Sequence, residues 1–280
     1  MGMVIRNNLD SVRTYNIYNK NAMALSHSMY QVSSGQRINT AVDGPSDLAI
    51  SEKMRGNIRS NEQASRNVQA GTNMIKTAEG ALSNIVDLLN TVRERVVNAA
   101  NDTNTDTERS LISTEISSLL DQIDDNAKVT YNGMGLLDGT WGSGANGTAL
   151  NFQVGGQKDL NIQVNIDAMS SSDLGLIPSS LDVSTTSAAN KTLGKIDSAI
   201  NKVLNQRTSL GSIEARLGFT LDNLSTENEN LVASESTIRD LDMAKGMTNF
   251  MKWNVLTQAS QFMLAQAGQN AYSVLNLLQQ

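Results

Sequence analysis

Apolar residues recur every seven positions along two long stretches of this chain, and this repeat restricts its fold more than any other feature. The first stretch runs from residue 64 to residue 99 as two interleaved series: Val68, Ile75, Leu82, Leu89 and Val96, with Ala64, Gly71, Ala78, Ile85, Val92 and Ala99 between them. Such a seam is typical of helices that pack side by side. The buried stripe of a globular helix, the alternative interpretation, drifts away from strict seven-residue spacing over this length. The stretch therefore predicts a long helix in a bundle or coiled coil.

A second seam lies in the last third of the chain, with Ile200 and Leu221 on neighbouring positions. Its members are Ile196, Val203, Leu210, Leu217, Leu224, Leu231 and Ile238. We expect the two seams to be partners. Between them, a polar turn at 101–106 precedes a shorter apolar face that predicts a third helix, formed by Ile112, Ile116, Leu119 and Ile123. The predicted fold class is mainly α, an elongated antiparallel helical bundle or coiled coil, with helices at about 46–99, 107–128 and 188–235.

The length of the first predicted helix argues against a globular fold. At about 1.5 Å per residue it would extend roughly 80 Å, whereas a compact globule of this chain length has a radius of gyration of about 19 Å. We therefore expect a rod. Because rods leave long seams uncovered, neighbouring molecules should complete them.

The middle of the chain, about 132–180, predicts a small β-hairpin region inserted between the helices. It contains Asn132-Gly133 and a Gly-rich stretch, and then apolar residues alternate on both sides of Gly155-Gly156: Leu150, Phe152 and Val154, then Leu160, Ile162, Val164 and Ile166. Strict alternation across a Gly-rich turn is a hairpin signal. The following Ser/Thr/Asp-rich segment, 170–187 with Pro178, is interpreted as a loop.

Composition and charge exclude several classes of function. The formal net charge of −6 opposes a general role in binding nucleic acid or an anionic membrane. With no cysteine and a single histidine, His27, the chain lacks thiolate chemistry and multi-histidine metal sites. The Gly-rich run at 142–147 lacks the lysine of a phosphate loop, and the carboxylates of Asp121, Asp124 and Asp125 have the spacing of a solvated helix face rather than a calcium loop. We expect no enzymatic activity, no cofactor and no metal.

The two ends, 1–40 and 240–280, have helical apolar spacing but polar faces that are almost neutral. After Lys252 no charged side chain follows. Such segments do not hold a stable helix alone, so they are either disordered or buried in an assembly. The predicted assembly residues are Leu9, Val12, Leu25, Met29, Val32, Met247, Phe250, Leu264, Leu275 and Leu278. The methionines near the C-terminus suit a surface that changes partners, with ordinary core filling as the alternative.

Both ends also carry motifs that resemble bacterial flagellin. At the N-terminal end these are Ser33-Ser34-Gly35, Arg37-Ile38-Asn39, Leu48-Ala49-Ile50, Met54-Arg55, Thr77 to Leu82 and Val92-Arg93-Glu94. At the C-terminal end they are Ile238-Arg239-Asp240, Met247-Thr248, Gln258-Ala259, Met263 to Ala267 and Val274-Leu275. Two departures stand out: 44–47 replaces a small acidic turn of the family, and Ala271-Tyr272 stands where a proline is common.

The resemblance implies a structural subunit that self-assembles into the flagellar filament, without large variable outer domains. Residues 1–40 and 240–280 would form an inner tube domain, and 41–239 a rod domain. The rod seam would be formed by Ile75, Leu82, Leu89, Val96, Val203, Leu210, Leu217, Leu224 and Leu231. The resemblance also implies export without a cleavable signal peptide and an extracellular location in the bacterial flagellum. The implied partners are identical subunits in a homopolymer, an export chaperone on the C-terminal segment, and hook-associated and cap proteins.

Two alternatives stay open at this point. A hook–filament junction protein of the same family has similar terminal helices, and a cytoplasmic coiled-coil adaptor represents a different class. An adaptor should have charged, soluble ends. Electron microscopy under polymerising conditions separates these interpretations, because only the polymer forms long tubular filaments.

The resemblance finally bears on whether the host's flagellin-sensing Toll-like receptor recognises this chain. Alignment on Val92-Arg93-Glu94 and Asn101 puts an arginine of the family at Thr91, a leucine at Arg95 and a glutamate at Glu115, with Arg93 on the same helix. Only the glutamate is retained. We expect the receptor to recognise this chain weakly. The alternative is that this helix surface never meets the receptor and is not constrained by it.

Overall fold

The computed structural model describes residues 8–142, 148–177 and 181–277, with side chains in the last helix described as far as Gln269. Within these ranges there are six helices: α1 (Leu9–Ser34), α2 (Pro45–Ala99), α3 (Asp106–Ala127), α4 (Ser171–Leu174), α5 (Thr186–Arg239) and α6 (Met243–Leu277). Four short strands form two antiparallel pairs: β1 (Thr130–Tyr131) with β2 (Met134–Gly135), and β3 (Leu150–Gln153) with β4 (Asn161–Val164). The mainly helical class with a small β region is confirmed.

The chain divides into two compact units. The first contains residues up to Ile58 and from Glu229 onwards, and the second contains 59–228. Both boundaries fall inside the long helices α2 and α5. The predicted division into an inner tube domain and a rod domain concerns the assembled filament and stays a prediction.

In the second unit, α2 and α5 run antiparallel and bury the two seams against each other. Three ion pairs fix their register: Lys76 Nζ to Glu214 Oε1 at 3.6 Å, Arg207 to Glu79 at 3.5 Å, and Arg93 to Asp197 at 2.8 Å. The core includes the seam residues Ile75, Leu82, Leu89, Val96, Val203, Leu210, Leu217 and Leu224. Leu231, the last predicted seam residue, is half-buried and belongs to the first unit.

Helix α3 begins at a capping box. The backbone N–H of Thr105 donates to Glu108 Oε2 at 2.7 Å, and the backbone N–H of Glu108 donates back to Thr105 Oγ1. The Thr105 N–H holds the pKa of the Glu108 carboxyl below its usual value, and the Thr105 hydroxyl adds to this effect. Of the predicted apolar face, Ile116 and Ile123 are buried. Ile112 and Leu119 are partly buried, and the sequence pattern missed Leu120, which is fully buried.

The predicted hairpin is the β3–β4 pair, in which Leu150 lies opposite Val164 and Phe152 opposite Ile162. Its turn is longer than expected: residues 154–160 connect the strands, and Leu160, which the alternation predicts in a strand, is exposed there. The Phe152 ring packs on α2 at Gly71, where a Cβ atom would meet ring carbons at 3.2 to 3.3 Å. A glycine in the seam therefore makes room for the hairpin.

The segment predicted as a loop, 170–187, is partly helical. It contains α4, and α5 already begins at Thr186. The backbone N–H and hydroxyl of Ser171 donate to the two carboxylate oxygens of Asp124 on α3, at 2.7 and 2.9 Å. Asp124 is therefore a bonded, half-buried residue, and its assignment to a solvated face was wrong. Pro178 and residues 143–147 of the Gly-rich run lie outside the described residues.

Candidate assembly interface

The first unit is built on α1 and α6, which pack antiparallel through small and polar side chains. Asn21 Nδ2 donates to Ser260 Oγ at 2.7 Å, and Asn8 Nδ2 donates to the Ala267 carbonyl at 3.0 Å. Asn21, Ser28, Thr257 and Ser260 are all buried. These hydrogen bonds satisfy polar groups that would otherwise be costly to bury. The contact between the two helices is therefore specific, but it hides little apolar surface.

The predicted assembly residues on these helices fall into two groups. Leu25, Val32, Phe250 and Leu264 are half-buried. Leu9, Val12, Met29 and Met247 are exposed. The side chain of Leu275 and all of Leu278 lie outside the described residues.

The exposed apolar surface of this unit is larger than the predicted set of assembly residues, although the sequence also assigns the C-terminal methionines to an interface. Further large apolar side chains that are exposed on α1 and α6 are Tyr15, Ile17, Met23, Tyr30, Met243, Met251, Val255, Leu256, Phe262 and Met263. Phe262 and Val255 are 78% and 64% exposed. A helical projection of the sequence would have shown apolar residues on more than one face of α6. Exposed apolar surface of this extent marks an interaction site.

The turn between α1 and α2 is held against the junction between α5 and α6. Helix α1 ends at Gly35, whose φ of 69° is in the left-handed region that glycine adopts without strain. Beyond it, the Arg37 N–H donates to the Arg239 carbonyl at 2.7 Å and the Leu241 N–H to the Gly35 carbonyl at 2.9 Å. The buried Arg239 side chain donates to Glu52 Oε1 at 2.6 Å, and this bond holds the pKa of the Glu52 carboxyl below its usual value.

Asp43 organises the same turn. Its Oδ2 accepts from the backbone N–H groups of Asn39 and Thr40, both at 2.9 Å, and from the Thr40 hydroxyl. Burial raises the pKa of the Asp43 carboxyl, but these hydrogen bonds, with the attraction of His27, outweigh burial and leave the pKa below its usual value. His27 Nε2 lies 3.6 Å from Asp43 Oδ1 and is half exposed. The pair supports a turn and has the geometry of neither a catalytic triad nor a metal site.

The residues aligned with the receptor-binding positions lie together on α2 and α3 of the second unit. Arg95 Nε is 2.8 Å from Glu115 Oε1, and Arg93 is engaged with Asp197. Thr91 is half-buried and donates its hydroxyl to the Asp87 carbonyl at 3.0 Å. The two arginines and the glutamate are therefore committed to partners within the chain.

Within the ranges that the structure describes, histidine, aspartate and glutamate side chains do not gather in groups that could hold a metal ion. In the same ranges, none of the helices has both the length and the apolar character needed to cross a membrane.

Comparison with known proteins decides the family. The model for the bacterial flagellin N-terminal helical region matches residues 5–142, and that for the C-terminal helical region matches residues 193–278. The flagellin of Bacillus subtilis (strain 168) is 43% identical over 303 aligned residues, which cover 99% of this chain and 100% of that protein. The chain belongs to the bacterial flagellin family.

Other relatives agree with this assignment. The flagellar filament 30.7 kDa core protein of Treponema maltophilum is 36% identical, and the alignment covers 99% of this chain and all of that protein. A putative flagellar hook-associated protein from Vibrio parahaemolyticus has a similar structure, with a TM-score of 0.59, 18% identity, and coverage of 71% of this chain and 100% of that one. At this identity the likeness shows the fold alone. The short flagellin chain, aligned end to end with its relatives, is consistent with the absence of a large outer domain.

Proposed function

We propose that this flagellin is a structural subunit of the bacterial flagellar filament, and that the outward faces of α1 and α6 are its principal assembly surface. The observation that carries this proposal is the arrangement of side chains in the first unit. Small polar residues join α1 to α6, whereas most of the large apolar residues of the two helices are exposed. Relatives named as flagellins and as filament core proteins support the same function.

Burial of these outward residues supplies the driving force for polymerisation. Full burial of one large apolar side chain contributes about 1.5 to 3 kcal/mol. The α1–α6 pair gains little of this free energy by itself, because its buried centre contains Asn21, Ser28, Thr257 and Ser260. A second copy of the chain that covers Val255, Phe262 and their neighbours would gain the free energy of burying them. A polymer repeats this gain at every subunit.

We also propose the arrangement and the partners that the family implies. Residues 1–40 and 240–280 form the inner tube domain and 41–239 the outer rod domain. The filament is extracellular. The α6 face binds the export chaperone before assembly, which the adaptable methionine side chains support. Hook-associated and cap proteins meet the two ends of the same homopolymer.

Two variants at one position of α6 test the assembly surface. Phe262→Asp places a carboxylate where burial is proposed, and Phe262→Leu keeps an apolar side chain at the same exposed site. The free subunits should have equal helicity by circular dichroism, because residue 262 is exposed in the subunit. Electron microscopy should show long filaments for the parent and Phe262→Leu, and none for Phe262→Asp. Normal filaments from Phe262→Asp would contradict the proposed surface.

The alternatives make different predictions in the same experiment. A hook–filament junction protein gives short rings or caps but no long filament of its own. A coiled-coil adaptor stays monomeric or forms small bundles, and it would need soluble, charged ends instead of the exposed apolar residues of α6.

For the host receptor, we propose weakened recognition. Thr91 offers no guanidinium, and Arg95 brings a charge to a position where the family has leucine. The ion pair between Arg95 and Glu115 supports this proposal, because the one retained receptor position is already engaged within the chain.

A further inference from the structure

Most of the described methionines of the first unit are exposed to solvent, whereas two of the three described methionines of the second unit are buried. In the second unit, Met74 and Met169 are 3% and 4% exposed, and Met134 is 38% exposed. In the first unit, the exposed methionines are Met23, Met29, Met243, Met247, Met251 and Met263. Methionine is a common filler of apolar cores, but among the described residues of this unit most methionine side chains are exposed. An exposed thioether is open to chemistry from which a buried one is protected.

Three of these residues form a continuous ridge at the start of α6. Met243, Met247 and Met251 follow each other at intervals of four, and Val255 continues the row. Side chains four residues apart are neighbours on a helix surface. They are 47%, 38% and 61% exposed, so each side chain is partly left uncovered by α1. We call Met243, Met247 and Met251 the methionine ridge.

We propose that the methionine ridge is a modification site for two-electron oxidants of the peroxide class, and that its oxidation blocks assembly of the free subunit. A lone pair of the thioether sulfur attacks one oxygen of hydrogen peroxide. The sulfur–oxygen bond forms as the oxygen–oxygen bond breaks, and the departing hydroxide takes up the proton to leave as water. The sulfur is oxidised to the sulfoxide and the peroxide is reduced.

The effect on assembly follows from polarity and rests on the proposed function. A sulfoxide carries a strong acceptor oxygen, which needs a donor when it is buried. The ridge of a free subunit is wetted, so oxidation does not disturb its fold. The ridge of a subunit entering a filament must lose water against another copy, and an oxidised ridge opposes this step. Subunits already in the filament are covered and are therefore protected.

The first measurement maps the modification on the purified full chain as free subunits. After limited treatment with hydrogen peroxide, peptide mass mapping reports sulfoxide at each methionine. Met243, Met247 and Met251 should oxidise at least about tenfold faster than the buried Met74 and Met169. In preformed filaments the same three residues should oxidise as slowly as the buried pair. Equal rates in free subunits at ridge and buried sites would overturn the proposal.

The second measurement compares assembly before and after oxidation. The critical concentration for polymerisation should rise by about tenfold or more on oxidation, and the two methionine sulfoxide reductases together, one for each sulfoxide epimer, should restore the original value. The variant with Met243→Leu, Met247→Leu and Met251→Leu should assemble, because leucine preserves volume without the sulfur. It should need more peroxide than the parent for the same loss of assembly, since among the described methionines of α1 and α6 only Met23, Met29 and Met263 remain exposed. Its matched control, Met74→Leu with Met169→Leu, should keep the parent's sensitivity.

The outcomes separate this inference from the proposed function. An untreated parent chain that forms no filament overturns both the proposed function and the effect on assembly. A parent chain that assembles equally well before and after complete oxidation of the ridge overturns only the inference. Failure of the two reductases together to restore assembly also overturns the inference, since damage other than methionine oxidation would then be responsible. This last test does not depend on the leucine variant being able to assemble.

Discussion

Arg95 on α2 and Glu115 on α3 form an ion pair, with Arg95 Nε 2.8 Å from Glu115 Oε1. Both side chains are nearly half exposed, so the pair contributes little to stability. The ion pair matters because it limits what the Arg95 guanidinium and the Glu115 carboxylate can bind in a partner protein. A carboxylate that already accepts from a guanidinium is a poorer acceptor for a partner protein.

Restoring the family's side chains should strengthen recognition by the flagellin-sensing Toll-like receptor. The double variant Thr91→Arg with Arg95→Leu supplies a guanidinium, removes a charge and frees Glu115. One restored interface anchor is worth about 2 kcal/mol, or about thirtyfold in potency. The measurement is the dose response of monomer in a receptor-reporter cell assay, with Lys158→Leu, in the turn between β3 and β4, as a charge-removal control. If the parent already signals strongly, or the double variant changes nothing, the alignment at Thr91 and Arg95 is incorrect.

Leu217→Asp should strongly destabilise the second unit. Leu217 is fully buried in the seam, and a carboxylate there must be desolvated or protonated. We expect a loss of about 4 kcal/mol. Phe219→Asp, two residues along the same helix at a site that is 70% exposed, should change stability by less than about 1 kcal/mol. Urea unfolding of dilute monomer, followed by circular dichroism, gives both values, and similar values for the two variants would contradict the assigned seam.

Valine at Gly71 should weaken the contact between α2 and the β3–β4 hairpin. A Cβ at Gly71 already approaches the Phe152 ring at 3.2 Å, and the methyl groups of valine would enter the space of the ring. Overpacking of this kind costs about 1 to 3 kcal/mol. Gly80→Val on the same helix meets nothing within 4 Å and should be close to neutral. A Gly71→Val protein as stable as Gly80→Val would show that the hairpin moves aside without loss.

Acid should loosen the turn between α1 and α2 through Glu52 and Asp43. The pKa of each carboxyl is lowered in the folded chain: for Glu52 mainly by the bond from Arg239, and for Asp43 by the N–H groups of Thr40 and Asn39, which outweigh burial. Such groups stabilise the fold above their ordinary pKa of about 4, and this contribution is lost as the pH falls through the folded values.

The melting temperature of dilute monomer should therefore fall between about pH 5 and pH 3. Glu52→Gln should lower the melting temperature at neutral pH and make it less dependent on pH in the acid range. Glu62→Gln, at an exposed glutamate of α2 for which no ion pair is seen in the described part of the chain, provides the control. An acid dependence identical in all three proteins would exclude Glu52 from this role.

The helices and the seam of the second unit follow from the amino-acid sequence alone. Seven-residue spacing is a local property of the chain, and it also sets which side of a long helix meets its partner. The spacing is therefore enough to assign Ile75 and Leu217 to a seam. The alternation around β3 and β4 is equally local, although the length of the turn at 154–160 is not.

The inward and outward apolar residues of α1 and α6, in contrast, are selected by packing. Both helices have apolar side chains on more than one face, so periodicity does not select one of them. Which face of each helix turns inwards depends on how the two helices pack. The Asn21–Ser260 hydrogen bond lies in their contact, and Phe262 and the methionine ridge lie outside it. The contacts of Asp124 with Ser171 and of Arg95 with Glu115 join residues far apart in the chain or on separate helices. Partners of this kind are set by how the elements pack, and no local pattern encodes them.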